Sequence, residues 1–478
     1  MLDLDRESLH ALLTRAAASV VAELDAARVG PVFASAPSAA RLHALLDAPL
    51  PKEGEPVEDV LDACDAVLAA GRRTAPTFFG YVQSPATPVG VVADLLASAA
   101  DQNVTAWRSA PAAVHIERLT LRWLGRLVGF DDAAAGALVS GGSAANLTAL
   151  LTAIRTRAPA DADRRTLVVY VSEEAHFSVA KAAAALGLAI RRAPVDDTWR
   201  LVASALGQMI AADVRSGLTP VCVVASAGTT ATGAVDPLDR VASIAAEHGV
   251  WFHVDGAYGA PAAAVSTQRE RFRGMERADS LAIDAHKWLY VPVDCSALLV
   301  HDVTATARAF HGAADEYVRI VDAEDDEAFA FWDHGLELSR RFRALKLWMT
   351  LRHYGARRLT EAIEHDIAMA AHLGELVRCS GDFELLSPPS LSVCTFRHVP
   401  AGVPEHELDA HNERLLGAAQ RDGRVYVSNA VIRGRFALRA CVTNFRTTTA
   451  DVERTIDVLR EVGARVVRAY GPAARDIT

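Results

Sequence analysis

The residues with the clearest capacity for chemistry lie in the stretch 278–291, ADSLAIDAHKWLYV. Lys287 stands there between apolar and aromatic residues, and lysine is rarely buried without a compensating partner. In a dry site the lysine amine becomes a nucleophile, and amines of that kind form Schiff bases with carbonyl compounds. The alternative is a surface lysine whose stem lies along apolar residues while its charge stays in water.

Four other polar segments follow predicted strands. Ser140–Ser143 (SGGS) lies before a helix, where glycines and free helical N–H groups hold anions, although it matches neither GxGxxG nor GxxxxGK[ST]. Gly228–Thr230 offers two hydroxyls for a second phosphate contact. Asp255 ends an apolar strand, where its carboxylate needs a cation or a strong donor. His176 can stack on a flat ring or move protons. Taken singly, each also fits an ordinary turn, a helix cap or a packed side chain.

In combination these segments match one cofactor, pyridoxal 5'-phosphate. A phosphate cradle, a ring stacker, a carboxylate for the pyridinium nitrogen and a Schiff-base lysine are the parts that this cofactor requires. Asp255 would keep the ring nitrogen protonated, and the small Ala257 would let a flat ring lie close.

The elements that position these residues have the pattern of an α/β protein. Near-continuous apolar strands are predicted at 166–172, 220–228, 250–257, 280–286 and 295–302, with helices between them. One of these helices, 236–249, has Asp236 as its expected N-cap. Apolar strands separated by helices indicate a mostly parallel sheet covered on both faces.

Three regions are predicted along the 478 residues. Residues 1–84 form a helical arm whose apolar faces pack on a partner subunit, because amphipathic helices joined by an extended segment cannot bury those faces alone. Residues 85–365 form the large cofactor-binding domain, and 366–478 form a small α+β domain. The acidic, irregular segment 305–337 is expected to be an active-site loop.

Composition excludes several classes of function. The net charge of −10 is spread evenly without a basic stripe, so nucleic acid is not an expected partner. No apolar run is long enough for a bilayer, and the acidic N-terminus is unlike a signal peptide. Six scattered cysteines indicate free thiols in the cytoplasm, and His406 and His411 lack the spacing of metal ligands, so no metal is expected.

The chain resembles the group II pyridoxal-phosphate-dependent amino-acid decarboxylases of fold type I, which include aromatic-L-amino-acid and glutamate decarboxylases. The matching segments are SGGSAANLTAL, EEAHFSVAKAA, HVDGAYG, ADSLAIDAHKWL with DCSALLV, and SRRFRALKLWMTLRHYG. The resemblance implies a homodimer of the fold type I transferase-like architecture, an α/β fold whose mostly parallel sheet has seven strands. Two departures from the family pattern are Gly256, where alanine is commoner, and Ala285, where proline is usual.

The resemblance also assigns roles residue by residue. Lys287 would hold the cofactor covalently, Asp255 would pair with its ring nitrogen, Ala257 would lie behind the ring and His176 would stack over it. The phosphate would be bound by Gly142, Ser143, Thr230 and His286. Lys287, His176 and Tyr317 would be catalytic, with Tyr317 matching a loop tyrosine that protonates the carbanion after CO2 leaves.

The substrate is expected to be a small molecule, an amino acid, and the predicted pocket only partly resembles the aromatic branch. Its expected residues are Phe79, Tyr81, Val82, Ser84, Trp107 and Arg439. We expect decarboxylation of an aromatic L-amino acid to its amine. The alternatives are decarboxylation of an acidic or other amino acid, oxidative deamination to an aldehyde, another reaction of the fold type, or a silent homologue that acts as a binding protein.

Overall fold

The computed structural model describes residues 3–33, 38–311 and 325–470, which divide into two compact units. The smaller unit combines residues 1–81 with 369–388 and 394–478, and the larger unit contains 82–368 and 389–393. The predicted arm 1–84 thus belongs largely to the same unit as the C-terminal segment. Packing of this arm on a partner subunit stays a prediction.

The described residues form fourteen α-helices. They are α1 (Arg6–Val29), α2 (Ala39–Leu46), α3 (Val57–Ala70), α4 (Pro88–Ala100), α5 (Pro111–Val128), α6 (Gly142–Arg157), α7 (Phe177–Ala185), α8 (Ala203–Arg215), α9 (Leu238–Glu247), α10 (Ala285–Trp288), α11 (Val303–Phe310), α12 (Ala344–Cys379), α13 (Leu408–Asp422) and α14 (Thr449–Tyr470). Helix α12 is interrupted at Gly355, whose φ of 72° is left-handed. None of these helices is long and apolar enough to cross a membrane.

The strands form two sheets, one in each unit. They are β1 (Phe78–Phe79), β2 (Ala135–Val139), β3 (Leu167–Ser172), β4 (Ala189–Ala193), β5 (Thr219–Ser226), β6 (Trp251–Asp255), β7 (Ser280–Asp284), β8 (Ser296–Val300), β9 (Phe383–Ser390), β10 (Val393–His398), β11 (Tyr426–Ile432) and β12 (Arg435–Cys441). The larger unit's sheet has the order β2-β8-β7-β6-β5-β3-β4. Strands β3 to β7 are parallel and β8 is antiparallel to both neighbours, which confirms the predicted mostly parallel, seven-stranded sheet.

The register of the parallel strands aligns their carboxyl ends. Ser226 at the end of β5 pairs with Asp255 at the end of β6, and Asp255 pairs with Ala282 of β7. The strand interiors are buried because helices cover the sheet, and the polar residues that line the carboxyl edge stand at the strand ends. In open α/β sheets ligands bind at this carboxyl edge.

The smaller unit contains a five-stranded sheet with the order β1-β11-β12-β10-β9. Its apolar face packs with α13 and α14 around a core that includes Phe396, Leu438 and Leu459. The short strand β1 adds to the edge by pairing in parallel with β11, so the N-terminal segment completes this sheet.

Two local predictions were wrong. Asp236 does not cap its helix, because its buried carboxylate instead accepts the backbone N–H groups of Leu201 and Ser226 at 2.8 and 2.7 Å. The segment predicted to be irregular from residue 305 begins with a helix, α11, which Asp302 caps through the N–H of Thr304. The donors that compete for Asp236 come from segments distant in the sequence, so local periodicity does not contain them.

A buried histidine pair links β10 to α13 in the smaller unit. His398 Nδ1 lies 2.9 Å from His411 Nε2, and the His398 backbone N–H donates to Asn412 Oδ1. Burial lowers the pKa of His398 from 6.5 to about 4; neighbouring His411 and Arg460 add to this effect, and Asp382 opposes it. Burial also lowers the pKa of His411. Both rings are therefore neutral in the folded unit at pH 7.

We predict that the smaller unit loses stability as the pH falls from about 6.5 to about 4. The unfolded chain takes up the His398 proton first, so this stability is present above pH 6.5 and decreases by up to about 3 kcal/mol as the pH falls through the folded-state pKa. Hydrogen exchange of the β10 amides, corrected for intrinsic rates, measures the change. His398→Gln should flatten the profile, whereas His406→Gln, at an exposed histidine, should not. Equal profiles for both variants would contradict this assignment.

Candidate active site

A polar cavity of about 240 Å³ lies at the carboxyl edge of the large sheet. Its lining residues come from the strand ends and the helices that follow them. They are Gly141, Gly142, Ser143, Asn146, His176, Ser178, Ser226, Gly228, Thr229, Thr230, Asp255, Ala257, Tyr258, Asp284, His286 and Lys287. The structure thus brings together all eight residues that the sequence predicted to bind the cofactor.

The N-terminus of α6 opens onto this cavity. The helix starts at Gly142, and Gly141 provides no side-chain cap. The N–H groups of Ala144 and Ala145 donate to the backbone oxygen of Gly141, so those of Gly142 and Ser143 are the ones that can bind an anion. A Cβ at Gly142 would lie 3.0 Å from Ala257 Cβ and 3.1 Å from Asp284 Oδ2. These distances are tighter than most Cβ contacts, so glycine is favoured here for steric reasons, and the turn can approach a ligand closely.

The carboxylate of Asp255 is held by two donors at the end of β6. Its Oδ2 accepts from Asn146 Nδ2 at 3.0 Å, and its Oδ1 accepts from the backbone N–H of Ala257 at 3.2 Å. The two hydrogen bonds restrict the carboxylate to one orientation, which suits a partner whose position is fixed.

Lys287 lies on the short helix α10, which follows β7 directly. Its Nζ is 2.8 Å from Asp284 Oδ2, and the Asp284 side chain is only 3% exposed. The other oxygen, Asp284 Oδ1, is buried without a hydrogen-bond partner among the described residues. A buried polar atom of this kind is uncommon, and in a polar cavity it indicates a place where a ligand or water binds.

The residues after Lys287 are anchored to α12. Trp288 Nε1 and Tyr290 OH both donate to Asp366 Oδ2, at 2.9 and 2.7 Å. The Trp288 ring also stacks on Tyr258, with centroids 5.0 Å apart. Because Tyr258 follows Asp255 by three residues, this contact ties the helix carrying Lys287 to the loop after β6.

The two histidines of the cavity are uncharged. Burial lowers the pKa of His176; Asp255 and Asp284 oppose this effect, and Lys287 adds to it. Burial likewise lowers the pKa of His286, whose Nδ1 lies 3.0 Å from the backbone oxygen of Cys295. Neutral imidazoles pack against a flat ring without adding charge.

The predicted substrate residues are distributed over both units. In the larger unit, Ser84 Oγ donates to the backbone oxygen of His286 at 3.3 Å, Val82 is half-buried, and Trp107 packs beside the cluster that contains Phe331. Ser84 is therefore adjacent to the helix of Lys287. Substrate contact by these residues stays a prediction.

In the smaller unit, Phe79 is completely buried in the hydrophobic core, and Tyr81 is half exposed. Arg439 Nη1 donates to the backbone oxygen of Tyr81 at 2.7 Å. The roles proposed for these three residues also stay predictions. Tyr317 lies outside the described residues.

The sequence interpretation missed several residues of the cavity, notably Asn146, Ser178 and Asp284. Spacing contains a signal for two of them, because Asn146 follows Ser143 and Lys287 follows Asp284 by three residues, which is one helical turn. Ser178 stands two residues after His176, but only the fold brings it to Asn146, which is 32 residues away in the sequence.

Comparison with known proteins relates this site to one family. Residues 39–399 match the model of the pyridoxal-dependent decarboxylase conserved domain. An aromatic-L-amino-acid decarboxylase of Bacillus atrophaeus is 36% identical over 399 residues, covering 83% of this chain and 82% of that protein. A phenylacetaldehyde synthase of Arabidopsis thaliana is 29% identical over 435 residues, covering 88% and 89%.

Solved structures agree with this relationship. The crystal structure of TDC from Oryza sativa with PLP and tryptamine superposes with a TM-score of 0.91 at 28% identity, covering 97% of this chain and 99% of that one. The cavity residues fit pyridoxal phosphate on three observations: the uncapped start of α6 for the phosphate, Asp255 for the ring nitrogen and Lys287 for the aldehyde.

We predict that Lys287→Ala abolishes turnover and the visible absorbance of bound cofactor, because no other lysine lines the described cavity. Spectra of purified protein after addition of pyridoxal phosphate, followed by desalting, measure the loss. Lys52→Ala is the matched control, because Lys52 is exposed and does not line the cavity. This variant should retain the spectrum. Wild-type amine production by Lys287→Ala would exclude the assigned role.

Proposed function

Because the chain belongs to the pyridoxal-dependent decarboxylase family, we propose that it converts an aromatic L-amino acid to the corresponding amine and CO2. Pyridoxal phosphate is its cofactor, and the enzyme class is amino-acid decarboxylase. The observation that carries the proposal is the single cavity in which Lys287, Asp255 and the uncapped N-terminus of α6 meet. The aromatic substrate is supported by the similarity to the Bacillus enzyme over most of both chains.

When bound, pyridoxal phosphate accepts the electrons of the bond that breaks at Cα. The residues that would hold it are Lys287 at the aldehyde, Asp255 at the ring nitrogen, and Ala257 and His176 on the two faces of the ring. Gly142, Ser143, Thr230 and His286 would bind the phosphate, for which the helix N-terminus supplies partial positive charge.

The protein's own groups control charge and protons in this cavity. Asp284 lies against the Lys287 amine and is positioned to hold its proton. Asp255 keeps one orientation through its two donors and thereby favours a positive charge at the position it faces. His176 is uncharged at pH 7, so it can act as a proton donor only after taking up a proton, and the nearby carboxylates Asp255 and Asp284 favour that charged form.

Delivery of a proton to Cα after CO2 departure is proposed for Tyr317 or His176. A proton at this position completes the amine, whereas reaction of the same carbon with oxygen leads to an aldehyde, ammonia and hydrogen peroxide. The aldehyde-forming reaction is the second candidate, because phenylacetaldehyde synthases are among the relatives. The presence of both Tyr317 and His176 favours amine formation.

We also propose that the enzyme is a homodimer of the cytoplasm. Helix α1 exposes apolar side chains to an unusual extent, including Leu9, Leu13 and Val21 at 45, 46 and 58%. A second copy of the chain would cover such a face. All six cysteines are free thiols, as is usual in a reducing compartment.

We predict that the holoenzyme releases equimolar amine and CO2 from at least one of tryptophan, tyrosine, phenylalanine or a hydroxylated relative. The pocket predicted to bind the side chain includes Trp107, and aromatic rings pack favourably on one another. Incubation with all common amino acids, with amines identified by mass spectrometry, is the measurement. Turnover of glutamate or another acidic amino acid alone would contradict the aromatic assignment.

We predict that Tyr317→Phe raises the ratio of aldehyde to amine, because loss of the phenolic proton leaves more time for oxygen to react. Peroxide and aldehyde assays in air, repeated without oxygen, give the ratio. Tyr470→Phe, at an exposed tyrosine, serves as the control and should leave the products unchanged. An unaltered ratio in Tyr317→Phe would remove this tyrosine from the proton-donor role.

A further inference from the structure

A continuous chain of hydrogen bonds runs beneath the cavity, from the core of the large sheet to His176. It starts at Trp251 Nε1, which lies 2.9 Å from Ser280 Oγ. Ser280 Oγ is 2.8 Å from His253 Nδ1, and His253 Nε2 is 2.9 Å from Asn146 Oδ1. All four side chains are at most 2% exposed, so solvent does not compete for these bonds.

Asp255 determines which groups donate and which accept along this series of hydrogen bonds. A carboxylate accepts only, so the group of Asn146 that faces Asp255 at 3.0 Å must be its NH2. Asn146 Oδ1 consequently faces His253 and accepts from His253 Nε2–H. Burial lowers the pKa of His253 to about 4, so the ring carries one proton and its Nδ1 accepts from the hydroxyl of Ser280. The remaining donor, Trp251 Nε1–H, satisfies the Ser280 oxygen.

The second N–H of Asn146 continues the chain of hydrogen bonds toward the cavity. Asn146 Nδ2 donates to Ser178 Oγ at 3.0 Å, which leaves the Ser178 hydroxyl proton for His176 Nδ1 at 2.7 Å. The backbone N–H of Ser178 also donates to His176 Nδ1, at 3.3 Å. His176 Nδ1 is therefore an acceptor, and the proton of the neutral ring must sit on Nε2.

We propose that Asn146 is a positioning residue that orients Asp255 with one N–H and, through Ser178, sets His176 as the Nε2–H tautomer with the other. Asn146 lies on α6 one turn after Ser143, so the helix that offers its N-terminus to an anion also aligns the carboxylate proposed for the ring nitrogen and the histidine proposed to stack on the ring. This inference deepens the proposed function, on which it rests, because it specifies which nitrogen of His176 carries the proton in the resting protein. It concerns the resting protein and so holds or fails independently of the substrate.

The first test reads the tautomer directly in the wild-type holoenzyme. Nitrogen NMR of protein labelled with ¹⁵N-histidine at pH 7.5 distinguishes protonated from unprotonated ring nitrogens, and the signals lost in His176→Gln identify His176. We expect Nε2 protonated and Nδ1 unprotonated. A His176 with its proton on Nδ1 would overturn the inference whatever the enzyme's activity.

The second test separates the two hydrogen bonds that the side-chain amide of Asn146 donates, one to Asp255 and one to Ser178. Asn146→Ala should give His176 mixed tautomers, weaken retention of pyridoxal phosphate on dialysis, and lower kcat by about 10–100-fold with little change in KM. Ser178→Ala should mix the tautomers of His176 while cofactor retention stays at the wild-type level, because Asn146 still holds Asp255. Thr152→Ala, at another buried polar residue of α6 that bonds only to its own helix, should change none of these readouts.

Either of two results in these variants would overturn the proposal: one His176 tautomer in Asn146→Ala, or equal cofactor loss in Asn146→Ala and Ser178→Ala. Absence of decarboxylation with every aromatic amino acid would instead count against the proposed function alone, since the tautomer and cofactor retention are measured without substrate.

Discussion

The alignment of parallel strand ends is the constraint on which the site depends. Because β5, β6 and β7 run in one direction and in register, Ser226, Asp255 and Asp284 finish at one edge of the sheet. The turns that follow deliver Thr230, Ala257 and Lys287 to the same cavity. A register shift of one residue would turn Asp255 to the opposite face of the sheet, so the hydrophobic packing of the strand interiors fixes the chemistry at their ends.

Charge balance is the second consequence of this arrangement. Two carboxylates, Asp255 and Asp284, and one amine, Lys287, line a cavity whose histidines are neutral. Unpaired charge in such a site is costly, and each of these groups has a defined partner: Asn146 and a backbone N–H for Asp255, and Asp284 for Lys287. The uncapped N-terminus of α6 provides for an anion without another charged side chain.

The sequence allowed prediction of the parts of the site that follow from strand ends and glycine turns. Lys287, Asp255 and the SGGS turn stand next to long apolar runs, so their positions at strand ends and their chemistry could be predicted. The family resemblance added their roles. Asn146, Ser178 and His253 were not readable, because their function is a hydrogen-bond path between elements far apart in the chain. Asp236 shows the reverse error: it has the sequence signature of a helix cap, but two backbone donors from other segments compete for its carboxylate.

The central claim is that one lysine, Lys287, carries the cofactor opposite Asp255. Borohydride reduction of the wild-type holoenzyme, followed by proteolysis and mass spectrometry, tests it most directly. The account predicts that the reduced cofactor is attached at Lys287 in the peptide containing AHKWL, and that Lys181 and Lys346 are unmodified. Attachment at another lysine, or no covalent attachment in a protein that still produces amine, would contradict it.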